Sequence, residues 1–192
     1  MVSVDTYYSG TERVANVGVD DYSGGYQMTK YLMSMGHKSI MFVTDSTLGY
    51  SMDRIEGFKQ ALKEEKIDSS DKVLIVSRDS KERMKTYDKE MNNILANTAI
   101  FFSADIYAFE AIRYFKDLGL RVPEDISVAG FDDNYLAKMS RPRITTVCQD
   151  IRKKGSFAVN MLDTLIRGET LRFDNLRLPV EIVKRESVRE IL

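Results

Sequence analysis

The residues able to do chemistry gather where short apolar runs stop. The run Ile126–Phe131 ends in Asp132, Asp133 and Asn134. Ile40–Val43 is followed by Thr44, Asp45, Tyr50, Ser51 and Arg54; Val73–Val76 by Ser77, Arg78 and Asp79; Ala99–Phe102 by Ser103, Ala104 and Asp105. A carboxylate accepts hydrogen bonds from two neighbouring hydroxyls, and a guanidinium donates two in parallel. That inventory suits a sugar or another polyol, with Tyr50 or Tyr107 available to stack on its apolar face. Each group also has a plainer explanation. Asp79 and Asp105 stand where helices begin, and capping is the stronger explanation for both. Arg54 lies one to two turns into a helix and, alone, reads as a solvated surface group. Asp132-Asp133 fits an Asx turn or a magnesium pair, but the magnesium reading wants a lysine after a nearby strand, and none matches after Ile126–Phe131.

The elements that must position these groups alternate. The four apolar runs are continuous, as in parallel strands buried on both faces. Between them lie helical stripes. Met28, Tyr31, Leu32 and Met35 follow the pair Gly24-Gly25; Ile55, Phe58, Ala61 and Leu62 form the second stripe. Met84, Tyr87, Met91 and Ile94 form the third, Ala108, Ala111, Ile112 and Phe115 the fourth, and Ala158, Met161, Leu162 and Leu165 the fifth. Alternation of this kind predicts a doubly wound parallel α/β sheet, whose ligands sit at the carboxyl ends of the strands. Two places break the rhythm. Val2–Val4 and Ala15–Val19 read as short strands joined by a polar turn at Ser9-Gly10. Near the end, a short strand in residues 144–150 enters a helix, and Leu176–Ser187 reads as a strand pair kinked at Pro179.

Composition bounds the function. The chain has 192 residues, 43% hydrophobic and 30% charged, with a formal net charge of -1. No strong field favours nucleic acid or an anionic membrane, and no apolar run approaches the roughly 20 residues of a membrane span. MVSVDTYYSG lacks the basic start and apolar stretch of a secretory signal. A single cysteine, Cys148, makes no internal disulfide, which suits a reducing cytoplasm; its setting reads as inert core. One histidine, His37, excludes a His-rich metal site and argues against a Ser-His-Asp triad. Gly36-His37 reads as a helix stop with the ring near the terminal carbonyls, and Arg152-Lys153-Lys154 as a solvated helix face. No phosphate-binding glycine motif is present.

Several segments, in this order and spacing, resemble the effector-sensing domain of LacI/GalR-type transcriptional regulators: VSVD (2–5), VGVDDYSGGYQMTKYLMSMGHKSIMFV (17–43), DRIEGFKQAL (53–62), FFSADIYAFEAIRYFKDLGLRVPEDISVAGFDD (101–133), RPRITTVCQDIRKKG (141–155) and LPVEIVKRESV (178–188). The resemblance covers nearly the whole chain. It implies a two-lobed, periplasmic-binding-protein-like type I fold that closes around an effector, usually a sugar, sugar phosphate or nucleobase, without catalysis, cofactor or metal. By position, Arg54 and Asp132 match the family's effector-binding arginine and aspartate. Asp105 follows its asparagine position, which is Ala104 here, a departure that leaves the effector open. Tyr50, Ser51, Ser23 and Asp21 complete the candidate effector set. The lobe crossings fall at Gly36-His37, Val147–Asp150 and Leu178-Pro179. Residues 37–147 and 179–192 then form a complete C-terminal lobe, and residues 1–36 and 149–178 the remnant of an N-terminal lobe that exposes a strand edge.

The family pattern begins with a helix-turn-helix and about two further βα units, roughly 60 residues, that have no counterpart here; operator DNA would be reached only through that missing headpiece. The partners implied are a small-molecule effector, a carbohydrate by the inventory above, and a second copy of the chain. Two alternatives stay open: a stand-alone sugar-binding protein of the transport type, and a metal-dependent phospho-sugar enzyme using Asp132 and Asp133.

Overall fold

The structure, a computed structural model, describes residues 1–6 and 14–191. The turn expected at Ser9-Gly10 lies outside the described residues. The chain runs β1 (Val2–Val4), β2 (Ala15–Val19), α1 (Asp21–Ser34), β3 (Ile40–Thr44), α2 (Tyr50–Glu64), β4 (Val73–Ile75), α3 (Ser80–Leu95) and β5 (Ala99–Phe102). It continues through α4 (Asp105–Asp117), β6 (Ser127–Asp132), α5 (Tyr135–Met139), β7 (Thr145–Cys148), α6 (Ile151–Ile166), β8 (Asn175–Leu178) and β9 (Glu181–Val183).

Two sheets result. The larger has six strands in the order β4-β3-β5-β6-β7-β9, parallel except for β9 against β7. The smaller is parallel, in the order β1-β2-β8, so its described edges are β1 and β8. The expected doubly wound α/β pattern is therefore present. Strand β4 departs from it: at the edge of the large sheet it is only half buried, and Ile75 is exposed. A continuous apolar run does not by itself distinguish a central strand from an edge.

Local chemistry explains where helices begin. Asp20, Asp79, Asn134 and Asp150 each accept a backbone N–H from the first turn that follows, at 2.8–3.0 Å, starting α1, α3, α5 and α6. Asp79 is thus a cap, as its position suggested. Helix α1 starts earlier than the glycine pair implied, so Gly24 and Gly25 lie inside it. Their role is close approach. A Cβ on Gly25 would lie 2.2 Å from the Arg54 carbonyl oxygen, and one on Gly57 2.1 Å from that of Tyr22. Gly25 and Gly57 thereby let α1 and α2 touch backbone to backbone, while Gly24 faces the Phe131 ring.

That contact moves one expected crossing. Helix α1 packs on α2, and its Met28 and Leu32 share a core with Ile40, Phe42, Phe58 and Phe101 of the large-sheet layer. The chain therefore leaves the small sheet at Asp20, and Gly36-His37 is a turn within the large-sheet layer. Residues 21–36 pack with the large sheet rather than with the small one, because the α1–α2 approach fixes them there. The chain passes from β7 in the large sheet to α6 beside the small one, and from β8 in the small sheet to β9 in the large one. The strand pair expected in the tail is split: β8 pairs with β2 in the small sheet and β9 with β7 in the large one.

The tail beyond β9 closes the large layer. Ser187 exchanges bonds with Val128 and Thr145, and the Ile191 N–H donates to the Met35 carbonyl. Gly36, at φ +93°, sits under Ile191 where a Cβ would meet a carbonyl at 2.1 Å. His37 is buried here. Its ring bridges Thr98 Oγ1 (3.0 Å) and the Arg189 carbonyl (3.1 Å) instead of the helix-end carbonyls, and burial lowers its pKa. The fifth stripe is split too: Met161 is buried against the small sheet while Leu162 is exposed. Cys148 is partly exposed rather than core, and burial, then Asp133, push its thiol pKa up.

Candidate functional site

A cavity of about 310 Å³ opens between the carboxyl ends of the two sheets. Asp5, one residue past β1, and Gln149, one past β7, line it from one side. The large-sheet layer contributes Asp45 after β3, Tyr50 and Arg54 from α2, Ser103 and Ala104 after β5, Tyr107 from α4, Asp132 at the end of β6, and Asp21 from α1. Every contributor is a strand exit or the first two turns of the helix after it. That is the geometry parallel topology dictates for a ligand site.

Arg54 organises the floor. Its Nε donates to Asp21 Oδ1 at 2.8 Å, Nη2 lies 2.8 Å from the same oxygen, and Nη1 donates to the Ser103 carbonyl. The guanidinium lies 3.5 Å from the Phe131 ring centroid and 5.0 Å from that of Tyr50. It is buried, so the solvated-surface reading fails. Asp21 is buried as well; burial raises its carboxyl pKa, and Arg54 opposes that shift.

Asp132 ends β6 with φ +122°, a region non-glycine residues rarely occupy. Its Oδ1 accepts from Gln149 Nε2 at 2.6 Å, and burial raises its pKa against the pull of Arg54. Residues held in sparsely populated backbone regions cost of order 1–3 kcal/mol and cluster at ligand sites. Asp133, at φ +55°, turns the other way, to Arg185 and to Lys138 at 3.2 Å. The twin carboxylates therefore diverge. Among the described residues no group of three or more His, Cys, Asp or Glu side chains could hold a metal ion.

A polar chain crosses between the layers. Lys154 of α6 is buried, not solvated as its basic neighbourhood suggested. Its ammonium donates to the Asp5 carboxylate and, at 2.7 Å, to Gln149 Oε1, and Gln149 passes the chain on to Asp132. On the opposite rim Asp45 accepts from Arg78 Nε at 2.7 Å. Burial first, and Asp45 second, push the Tyr107 phenol up to about 12.

Of the seven sequence candidates, Arg54, Asp132, Asp21 and Tyr50 line the cavity. Asp105, Ser51 and Ser23 do not. Ser51 is buried on α2, and Ser23 sits on α1 accepting from Gln27. Asp105 is fully buried. Its Oδ1 accepts from the Thr146 hydroxyl (2.6 Å) and its Oδ2 from the Asn134 N–H (2.9 Å), so it joins α4 to β7 and the β6 exit. It is also not the cap of α4; Ala104 holds that position without a side-chain bond. Burial above all pushes the Asp105 carboxyl up to about 7. Asp5 and Gln149 were missed. The rule that found Asp45 and Asp132, the residue just past a strand, would have found both.

The described helices include none long and apolar enough to cross a membrane. Residues 29–188 match the family described as periplasmic binding protein-like domain. The chain is 35% identical over 172 residues to the HTH-type transcriptional regulator DegA of Bacillus subtilis, covering 89% of this chain and 51% of that protein. Among solved structures, a LacI family transcriptional regulator from Enterococcus faecium with bound ribose superposes with a TM-score of 0.89 at 29% identity, covering all of this chain and 71% of that one. The complex of the regulator CelR with cellobiose superposes with a TM-score of 0.83 at 27% identity, covering 97% of this chain and 58% of that one. The chain spans about half the length of the curated relatives it matches.

Proposed function

Because this chain belongs to the periplasmic binding protein-like domain family carried by LacI-type transcriptional regulators, we propose that it is the effector-binding part of such a regulator, working in the cytoplasm, and that its effector is a carbohydrate. The observation that carries this reading is the convergence of Arg54, Asp21 and Asp132 on one cavity between the two sheets. Ribose and cellobiose in the related structures support a sugar. Binding is not catalysis here: a ligand that touches both layers favours one arrangement of them, and its differential affinity sets how far that equilibrium moves. A second copy of the chain and DNA-reading headpieces would transmit the change. The relatives' role as regulators favours this over a transport role, and the divergence of Asp132 from Asp133 disfavours a metal-dependent enzyme.

The test is a thermal-shift and calorimetric screen of pentoses, hexoses, disaccharides, their phosphates and nucleobases. Saturable binding that is lost in Asp132→Asn, with the far-UV spectrum unchanged, supports the proposal. No saturable binding across the panel refutes it.

A further inference from the structure

The cavity's hydrogen-bonding chemistry restricts its ligand further; this step rests on the effector-binding reading. Among the described residues four carboxylates line the space, Asp5, Asp21, Asp45 and Asp132, and one cation, Arg54. Three of the five N–H donors of Arg54 already face protein acceptors. The cations that reach the lining from outside face its carboxylates: Arg78 bonds Asp45, Lys154 bonds Asp5, and Arg177 stands 4.0 Å from Asp21. Gln149 has its donor end on Asp132 and its acceptor end on Lys154. At position 104 there is an alanine, which offers no side-chain donor. The surface left for a ligand is rich in acceptors.

We infer that the cavity takes an uncharged polyol, which arrives as a hydrogen-bond donor, and excludes phosphorylated sugars, with the Asp45–Arg78 pair as the determinant of that exclusion. A hydroxyl can donate to a carboxylate and still accept elsewhere; a phosphate monoester brings about two negative charges and oxygens that mostly accept. Its charge would add to four carboxylates whose facing cations are already engaged with them, in a half-enclosed space where screening is weaker than in bulk water. Asp45 is the carboxylate whose loss would change this most. It holds Arg78, whose side chain is 74% exposed and so free to swing. Neutralising Asp45 removes one repelling charge and releases one guanidinium at the rim.

The experiment titrates the full chain with matched pairs by calorimetry: ribose and ribose 5-phosphate, glucose and glucose 6-phosphate, cellobiose and a phosphorylated cellobiose. The expected result is that at least one neutral sugar binds and its phosphate binds at least 100-fold more weakly. Asp45→Asn should then narrow that ratio by about tenfold. A phosphorylated sugar that binds as tightly as its parent, or more tightly, overturns this inference while leaving the effector reading intact. So does a ratio that Asp45→Asn leaves unchanged while the neutral sugar still binds. No binding by either member of any pair overturns both.

Discussion

Replacing Asp105 by asparagine should stabilise the protein at neutral pH and hardly at all at pH 5. The carboxyl is fully buried and sits at about 7, against an ordinary value of 3.8. As pH rises from 4 to 7 the unfolded chain releases this proton while the folded chain keeps it, so stability falls across that window. The slope is about 1.4 kcal/mol per pH unit, which gives a penalty of about 1.7 kcal/mol at pH 5 and about 4 kcal/mol at pH 7.5. Asparagine carries no such penalty. It still accepts from the Asn134 N–H, but Thr146 must turn to accept from the new amide. The Thr146 proton then has only the Val147 carbonyl, at 3.5 Å. That rearrangement costs about 1–2 kcal/mol at any pH. The net expectation is near zero at pH 5 and a gain of about 2–3 kcal/mol at pH 7.5, or roughly 4–12 °C in Tm for a chain of this size. Urea unfolding of both proteins at half-unit steps from pH 5 to 8 measures it. A difference that does not grow with pH would mean that the Thr146 and Asn134 bonds hold Asp105 ionised in the fold, and the reasoning fails.

Gly25→Ala should lower stability by about 2 kcal/mol or more, because its Cβ meets the Arg54 carbonyl at 2.2 Å and neither backbone can yield. It should weaken effector binding too, since α1 carries Asp21 and α2 carries Arg54. Gly155→Ala is the control: on α6 nothing lies within 4 Å of the new methyl, and a helical glycine replaced by alanine gains roughly 0.5–1 kcal/mol. Thermal unfolding separates the two. The His37 ring should titrate below its ordinary 6.5, because burial disfavours the cation; its contribution to stability is then lost as pH falls below 6.5, where the unfolded chain takes a proton that the fold resists. A ring titration by NMR at or above 6.5 would show that water reaches it.

Much of the fold was legible because period and capping chemistry are local signals. The residues that stop each strand, Asp132 among them, could be read as ligand-facing once parallel topology was inferred. What escaped the sequence were long-range facts. Asp105 and Asp45 both stand just past strands, yet one turns inward to Thr146 and the other lines the cavity; only the neighbouring strand β7 decides which. Lys154 sits in a basic run, yet Asp5, 149 residues earlier, draws it into the interior. The crossing misplaced at Gly36 depended on Gly25 and Gly57 meeting the other helix, a contact with no signature within either helix alone.

The Lys154 chain yields the last expectation. Asp132 belongs to the large sheet and Lys154 to the helix on the small one, and Gln149 connects them across the crossing. A ligand hydroxyl that donates to Asp132 would share that carboxylate with Gln149, which would link occupancy and the contact between layers through one side chain. Lys154→Met keeps the length and apolar contacts of the stem but removes the charge. It leaves the Asp5 carboxylate, which lines the cavity, without this partner, and frees the acceptor end of Gln149. Under the effector reading, Lys154→Met should bind a neutral sugar at least about tenfold more weakly, since an unneutralised carboxylate and an unanchored amide must be ordered with the ligand. Stability without ligand should fall by about 1–3 kcal/mol, because the buried partner of a half-buried ion pair has gone while Asp5, 40% exposed, can hydrate. Lys154→Arg, which restores the charge with a different reach, should recover stability more than affinity. Equal recovery of both would mean that Lys154 supports the layers only as a charge and has no part in setting the cleft.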